Sequence, residues 1–183
     1  MNKTPCAFTG HRPSRFPWGY NEADKDCIAL KEILTSEIIR LIDMGVTQFL
    51  SGMAEGVDCW AATIVLALRE KNFALKLHCI LPCKTQADSW SPASKGLYHS
   101  ILEQADSIVY VSRDYHKKCM MERNRFLVNH SDILLAICRE IPRSGTKATI
   151  YYARKMNKEV IMIDPFARRL IHENPTTESN PNR

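Results

Sequence analysis

The sequence predicts an α/β fold, a doubly wound three-layer sandwich around a mainly parallel sheet of about six strands. Three observations predict it. Short apolar runs alternate with stretches whose apolar residues recur at spacings of three and four. The runs stop at glycine, serine or proline. The run Ile133–Ile137 is apolar throughout, as a strand covered on both faces must be.

The elements follow in order. Cys6 to Thr9 is a strand that breaks at Gly10, and Cys27, Leu30, Leu34, Ile38 and Leu41 mark the buried stripe of a helix that Gly45 ends. Val46 to Leu50 is a second strand, broken by Ser51-Gly52 before a helix marked by Val57, Ala61, Ile64, Val65 and Leu68. Leu75 to Leu81 is a third strand stopped by Pro82, and a polar stretch leads to a short helix ending near Gln104. Ile108 to Val111 is the fourth strand, Met120 to Asn129 a helix, and Ile133–Ile137 the fifth strand. A loop over 138–145 opens a helix from Thr146 to Met156, and Val160 to Ile163 closes the sheet. The pattern fades beyond Pro165. Residues 1–165 therefore read as one Rossmann-like domain and 166–183 as a mobile tail rich in Asn, Pro, Thr and Ser at its end.

Composition narrows the function classes. At 183 residues, with 45% hydrophobic and 25% charged residues, the chain can bury a core without disulfides or metal. No apolar run approaches the roughly 20 residues that span a bilayer, and the N-terminus has no signal-peptide pattern, so a cytoplasmic protein without membrane contact is expected. Seven cysteines without a C-x-x-C pair read as reduced thiols, and the Cys79/Cys83 spacing without a second pair predicts no metal site. A net charge of +5, concentrated at Lys117, Lys118, Arg123 and Arg125 and at Arg168 and Arg169, suits an anionic ligand but makes no continuous basic stripe.

In a sheet of this kind ligands bind beyond the carboxyl ends of the strands, near the point where strand order reverses. Three loops qualify. After the first strand stands Thr9-Gly10-His11-Arg12-Pro13, where Gly10 permits close approach, Arg12 can grip a phosphate and His11 can hydrogen-bond or carry a proton. Gly10 as a simple turn and Arg12 as a bridge between elements are equally open readings. Trp18 and Tyr20 downstream either stack on a base or pack on the domain surface.

After the second strand comes Ser51-Gly52-Met53-Ala54-Glu55-Gly56-Val57-Asp58, whose small residues would show backbone amides to a phosphate at a helix N-terminus. It matches neither G-x-G-x-x-G nor a Walker A sequence and lacks the Walker lysine, which disfavours ATP hydrolysis. Asp58 can hold a ribose hydroxyl, whereas Glu55 suits the helix dipole. Arg123 and Asn124 open the helix before the fifth strand, and Arg143-Ser144-Gly145-Thr146 follows that strand. A hydroxyl, a glycine and helix N-terminal amides are the parts of an anion cradle, with Ser144 also suited to cap the helix. His78, His99, His116, His130 and His172 lie in no catalytic context, and no nucleophile is paired with a base.

Together, Thr-Gly-His-Arg-Pro, Ser-Gly-Met-Ala-Glu-Gly-Val-Asp, Arg-Asn and Arg-Ser-Gly-Thr resemble the YpsA-like family of the SLOG superfamily, from about Cys6 to Ile163. The superfamily also holds the DNA-processing protein A (Smf) family, whose Ser-Gly-x-Ala-x-Gly-x-Asp and Arg-Asn segments look much like residues 51–58 and 123–124, and the LOG-type phosphoribohydrolases. The resemblance implies a Rossmann-like fold that binds nucleotides, their derivatives or nucleic acid. Carried over by position, it implies ligand contacts at Gly10, Arg12, Ser51, Gly52, Gly56, Asp58, Arg123, Asn124, Ser144, Gly145 and Thr146, with His11, Met53 and Ala54 in the same loops.

Catalysis carries over less well. The phosphoribohydrolases share a Pro-Gly-Gly-x-Gly-Thr-x-x-Glu loop, whereas Ile141 to Thr149 here puts Thr149 where their acid stands. The expectation is thus a binding or sensor domain for a small nucleotide-like anion such as an ADP-ribose-like molecule, with no cofactor. N-glycosidic hydrolysis through Glu55 or Glu122 and single-stranded DNA binding are the alternatives, and association into a homo-oligomer fits a sheet of this kind.

Overall fold

A computed structural model describes residues 4–139 and 144–175. Its strands are β1 (Cys6–Gly10), β2 (Gln48–Ser51), β3 (Lys76–Leu81), β4 (Ser107–Tyr110), β5 (Ile133–Ile137), β6 (Glu159–Asp164) and β7 (Arg169–Glu173). The helices are α1 (Lys25–Asp43), α2 (Val57–Arg69), α3 (Pro92–Gln104), α4 (Cys119–Asn129) and α5 (Gly145–Lys155), with a 3-10 turn at Pro13–Arg15. One sheet runs in the order β4-β3-β2-β1-β5-β6-β7. All its pairings are parallel except β6 with β7. The Rossmann-like three-layer sandwich read from the sequence is the fold observed.

Alternation along the buried strands sends successive side chains to opposite layers. Cys6 and Phe8 join Leu30 and Leu34 of α1, Val65 of α2 and Ile101 of α3 in one core. Ala7, Leu134 and Ala136 join Leu127 and Val128 of α4 and Ile150 and Ala153 of α5 in the other. The stripe on α1 forms because Asp24 caps its N-terminus, accepting from the Asp26 amide at 2.8 Å, and because Gly45, at φ +96°, turns the chain out of the helix toward β2.

The strand order places the functional end. From β1 the chain winds outward through β2 and β3 to β4, then returns along α4 to set β5 on the other side of β1. Loops leaving β1 and β5 therefore diverge to opposite layers, and a crevice opens between them. The His11 amide donates to the Ile137 carbonyl at 3.3 Å, extending the β1–β5 pairing into its floor.

The tail expected from residue 166 needs correction. Arg169–Glu173 pairs antiparallel with β6, making a seventh strand. The hairpin turns on Asp164, whose Oδ1 accepts from the Phe166 and Ala167 amides, and on Arg168 at φ +50°. Arg154 grips Glu173 through two 2.7 Å hydrogen bonds. Residues 176–183 of the expected tail lie outside the described residues. Among the described residues no helix is long and apolar enough to cross a membrane, and no group of three or more His, Cys, Asp or Glu is placed to hold a metal ion.

Candidate functional site

At the β1/β5 switch point lies a cleft of about 350 Å³, bordered by residues 9–15, by Ala54 and Asp58, by α4 and by the start of α5. Segments far apart in sequence meet there because each follows a strand of the same parallel sheet. Of the residues singled out from sequence, Gly10, His11, Arg12, Ala54, Asp58, Arg123, Asn124, Ser144, Gly145 and Thr146 line it. Ser51, Gly52, Met53 and Gly56 do not; they are buried behind it.

These four hold the cleft's charged floor. Ser51 Oγ donates to the Asp58 carbonyl at 2.9 Å and accepts from the Met53 amide at 3.1 Å. Gln86 Nε2 ties the Gly52 and Met53 carbonyls at 3.2 and 2.5 Å. The turn passes through Met53 at φ +56° and Gly56 at φ +88°, the latter a backbone region open to glycine at little cost. A Cβ on Gly56 would also lie 3.0 Å from the His11 carbonyl oxygen, so the two loops are fitted to one another. Two of the amides expected to face a phosphate here are instead taken by the loop's own side chains, Met53 by Ser51 Oγ and Ala54 by Asp58 Oδ2 at 3.3 Å.

Asp58 and Arg123 form the central pair, with Arg123 Nη1 3.3 Å from Asp58 Oδ2 and both residues 5% exposed. Burial raises the Asp58 carboxyl above its ordinary range, against the opposing pull of Arg123, the Ala54 amide and Arg12. Burial likewise lowers the Arg123 guanidinium, although a guanidinium keeps its proton at neutral pH. Arg123 Nε is buried with no hydrogen-bond partner among the described residues. Gly52 makes this geometry possible, since a Cβ there would fall on Arg123 Nη1 and lie 2.5 Å from its Cζ.

Arg12 and Arg15, three positions apart around a 3-10 turn, both line the cleft. With Arg123 they set three guanidinium groups against one carboxylate in the lining among the described residues. The cleft is also lined by the start of α5. Ser144 Oγ caps it, accepting from the Lys147 amide at 3.1 Å, while the Gly145 and Thr146 amides have no partner among the described residues. The described lining thus combines an excess of positive side chains with the N-terminus of a helix.

His11 is 4% exposed, and its Nε2 accepts from the Arg139 amide at 3.2 Å, which requires a neutral ring. Burial lowers its pKa from 6.5. The unfolded imidazole therefore takes up a proton first as pH falls. The stability that neutral His11 contributes is complete above about pH 6.5 and is lost as pH drops through the lower folded value. His11→Asn is expected to flatten the fall in denaturation midpoint between about pH 7.5 and about pH 5, leaving the part due to His78, whose pKa is also lowered by burial. A pH profile identical to that of the unsubstituted protein would contradict the neutral acceptor.

Trp18 is partly buried and stacks on Phe16 at 4.8 Å against the core, the packing placement that the sequence left open beside base stacking, and Tyr20 donates to Glu55 at 3.5 Å. Glu122 pairs with His116 at 3.2 Å. Neither Glu55 nor Glu122 lines the cleft. Thr149 turns its hydroxyl to the Gly145 carbonyl at 2.9 Å, and Arg143 lies outside the described residues. Sequence reading missed Ser14, Arg15, Met120 and Gln86. Arg15 had a signal in its spacing from Arg12; Gln86 had none, because its role depends on a loop more than thirty residues earlier.

A sequence model described as the YspA SLOG family matches residues 6–167. A UPF0398 protein of Bacillus pumilus is 34% identical over 134 residues, which span 72% of this chain and 71% of the relative. A UPF0398 protein of Halalkalibacterium halodurans is 31% identical over 144 residues, spanning 78% and 74%. Among solved structures, DNA processing protein A from Helicobacter pylori, reported for its single-stranded DNA binding mode, matches with a TM-score of 0.60 and 20% identity, over 96% of this chain and 70% of that one. At that identity the likeness is one of fold.

Proposed function

The chain belongs to the YspA SLOG family, and on that premise we propose that its cleft binds a nucleotide or nucleotide derivative of ADP-ribose-like type through the phosphate groups. The observation that carries this reading is that Arg12, Arg15 and Arg123 line one cleft with Gly145 and Thr146, the first residues of α5. Guanidinium groups and helix N-terminal amides are the donors that phosphate oxygens accept best.

Binding, as opposed to turnover, is supported by the carboxylates. Asp58 is the one acid in the lining among the described residues, and it is committed to Arg123 and the Ala54 amide. Among the described residues no second acid lines the cleft to share a glycosidic hydrolysis.

Calorimetric titration with AMP and ADP-ribose tests the proposal. Arg12 is exposed, so Arg12→Ala leaves the core intact and is expected to weaken binding about tenfold, the loss of one charge-assisted hydrogen bond. Absence of binding by every nucleotide tried, or equal binding by the variant, would overturn it. A single-stranded oligonucleotide in the same titration addresses the second reading, which rests on the fold shared with DNA processing protein A. Binding of the oligonucleotide alone, falling steeply with salt, would favour that reading instead.

A further inference from the structure

Beside the cleft a groove of about 490 Å³ runs between α4 and α5. Met120, Asn124 and Gly145 line both, so the two are contiguous. Their characters differ. The cleft is lined by arginines and the start of α5, whereas the groove is lined mainly by Met120 and Met121 of α4 and by Ala148, Tyr151 and Tyr152 of α5, with Lys117, Arg125 and Lys155 also in its lining.

We propose that this groove holds the base of the nucleotide whose phosphate lies in the cleft, so that the ligand class is aromatic nucleoside phosphates and not sugar phosphates or inorganic anions. The inference rests on the phosphate reading above and adds to it where the rest of the molecule goes.

The helix register supports it. On α5 the positions Gly145, Ala148 and Tyr152 are spaced three and four apart and share one face, so the helix that offers its first amides to a phosphate carries the groove wall one to two turns further on. That separation, about 5–11 Å along the axis, is the scale on which a ribose joins phosphate to base. Met120, Met121 and Asn124 form the matching stripe on α4.

The walls suit a flat ring. Tyr152 is fixed by its hydroxyl donating to Asn129 Oδ1 at 3.0 Å and by the Arg125 guanidinium 5.6 Å from its ring centre. Tyr151 is 69% exposed and Met121 52%, large side chains with much of their surface uncovered in the same groove as the small Ala148. A thioether and a phenol ring are both favourable neighbours for the face or edge of an aromatic group. Asn124, on the border, offers donors and an acceptor to a base edge or a ribose hydroxyl.

Titration of the intact chain and of Tyr151→Ala with AMP, GMP, UMP and ribose 5-phosphate tests the assignment. Tyr151 is exposed, and its loss leaves the core untouched. The nucleotides are expected to bind the intact chain about tenfold more tightly than ribose 5-phosphate, and Tyr151→Ala is expected to remove most of that advantage while ribose 5-phosphate binding is unchanged. Equal affinity for nucleotide and ribose 5-phosphate in the intact chain would overturn the base site and leave the phosphate reading standing. So would a variant that binds AMP as the intact chain does, or one that weakens all probes alike. If the intact chain is a dimer that Tyr151→Ala dissociates, with nucleotide affinity per chain unchanged, the groove is an interface between copies and the base site is overturned. If neither AMP nor ribose 5-phosphate binds, the phosphate reading fails and this one with it.

Discussion

Gly52→Ala is expected to cost about 3 kcal/mol of folding stability and to abolish nucleotide binding, although it adds one methyl group in a loop. The backbone is not the reason, since Gly52 is not among the residues at positive φ. The added Cβ would fall on Arg123 Nη1 and lie 2.9 Å from Asp58 Oδ2. Arg123 has a flexible side chain and can move, but its guanidinium is buried, so moving it strands Asp58 without its charge partner. The direction open to it is the cleft that it lines, where it would fill the proposed phosphate site. Urea denaturation and nucleotide titration of the variant read the two effects. Wild-type stability together with wild-type affinity would show that Arg123 does not depend on the space above Gly52.

The second large effect belongs to the pair itself. Asp58→Ala and Arg123→Met are each expected to destabilise the fold by about 3–5 kcal/mol, because each leaves the opposite charge buried and alone. Arg123 is already the less satisfied of the two, with its Nε unpartnered. The double variant Asp58→Ala, Arg123→Met removes both charges and is expected to be more stable than either single one, a coupling of at least about 2 kcal/mol in a double-mutant cycle. Denaturant midpoints that add within about 0.5 kcal/mol would mean that Asp58 and Arg123 do not act together.

Much of the fold was legible because burial on both faces leaves a signature. Ile133–Ile137 is buried at every position, and its sequence has no polar residue to mistake for a solvent face. β7 has the opposite character. Arg169, Leu170 and His172 are exposed on a sheet edge, and the strand is held by a hairpin turn and by Arg154 reaching to Glu173, neither of which shows as periodicity. The tail boundary drawn at Pro165 fell short for that reason.

The candidate site was legible in its location and less so in its division of labour. Loops after parallel strands converge whatever their sequence, so Arg12, Asp58, Arg123 and Ser144 could be gathered from topology alone. The Ser51–Gly56 turn reads in sequence as a phosphate cradle, yet its amides serve Ser51 and Asp58 and its glycine makes room for Arg123. That role depends on a side chain from a distant helix, which no local pattern records. His11 is similar: its part is to accept the Arg139 amide across 128 residues of chain.

On the proposed function, the β1/β5 cleft receives the phosphate of a nucleotide. Amide chemical-shift mapping of the ¹⁵N-labelled chain during titration with ADP-ribose tests it most directly, at a mass of 20.9 kDa that suits the method. Saturating shifts are expected, largest at Gly10, Arg12, Ala54, Asn124, Gly145 and Thr146, with the far edge at β4 unmoved. Saturating shifts confined to residues outside the cleft, or no shifts at all with any nucleotide, would contradict it.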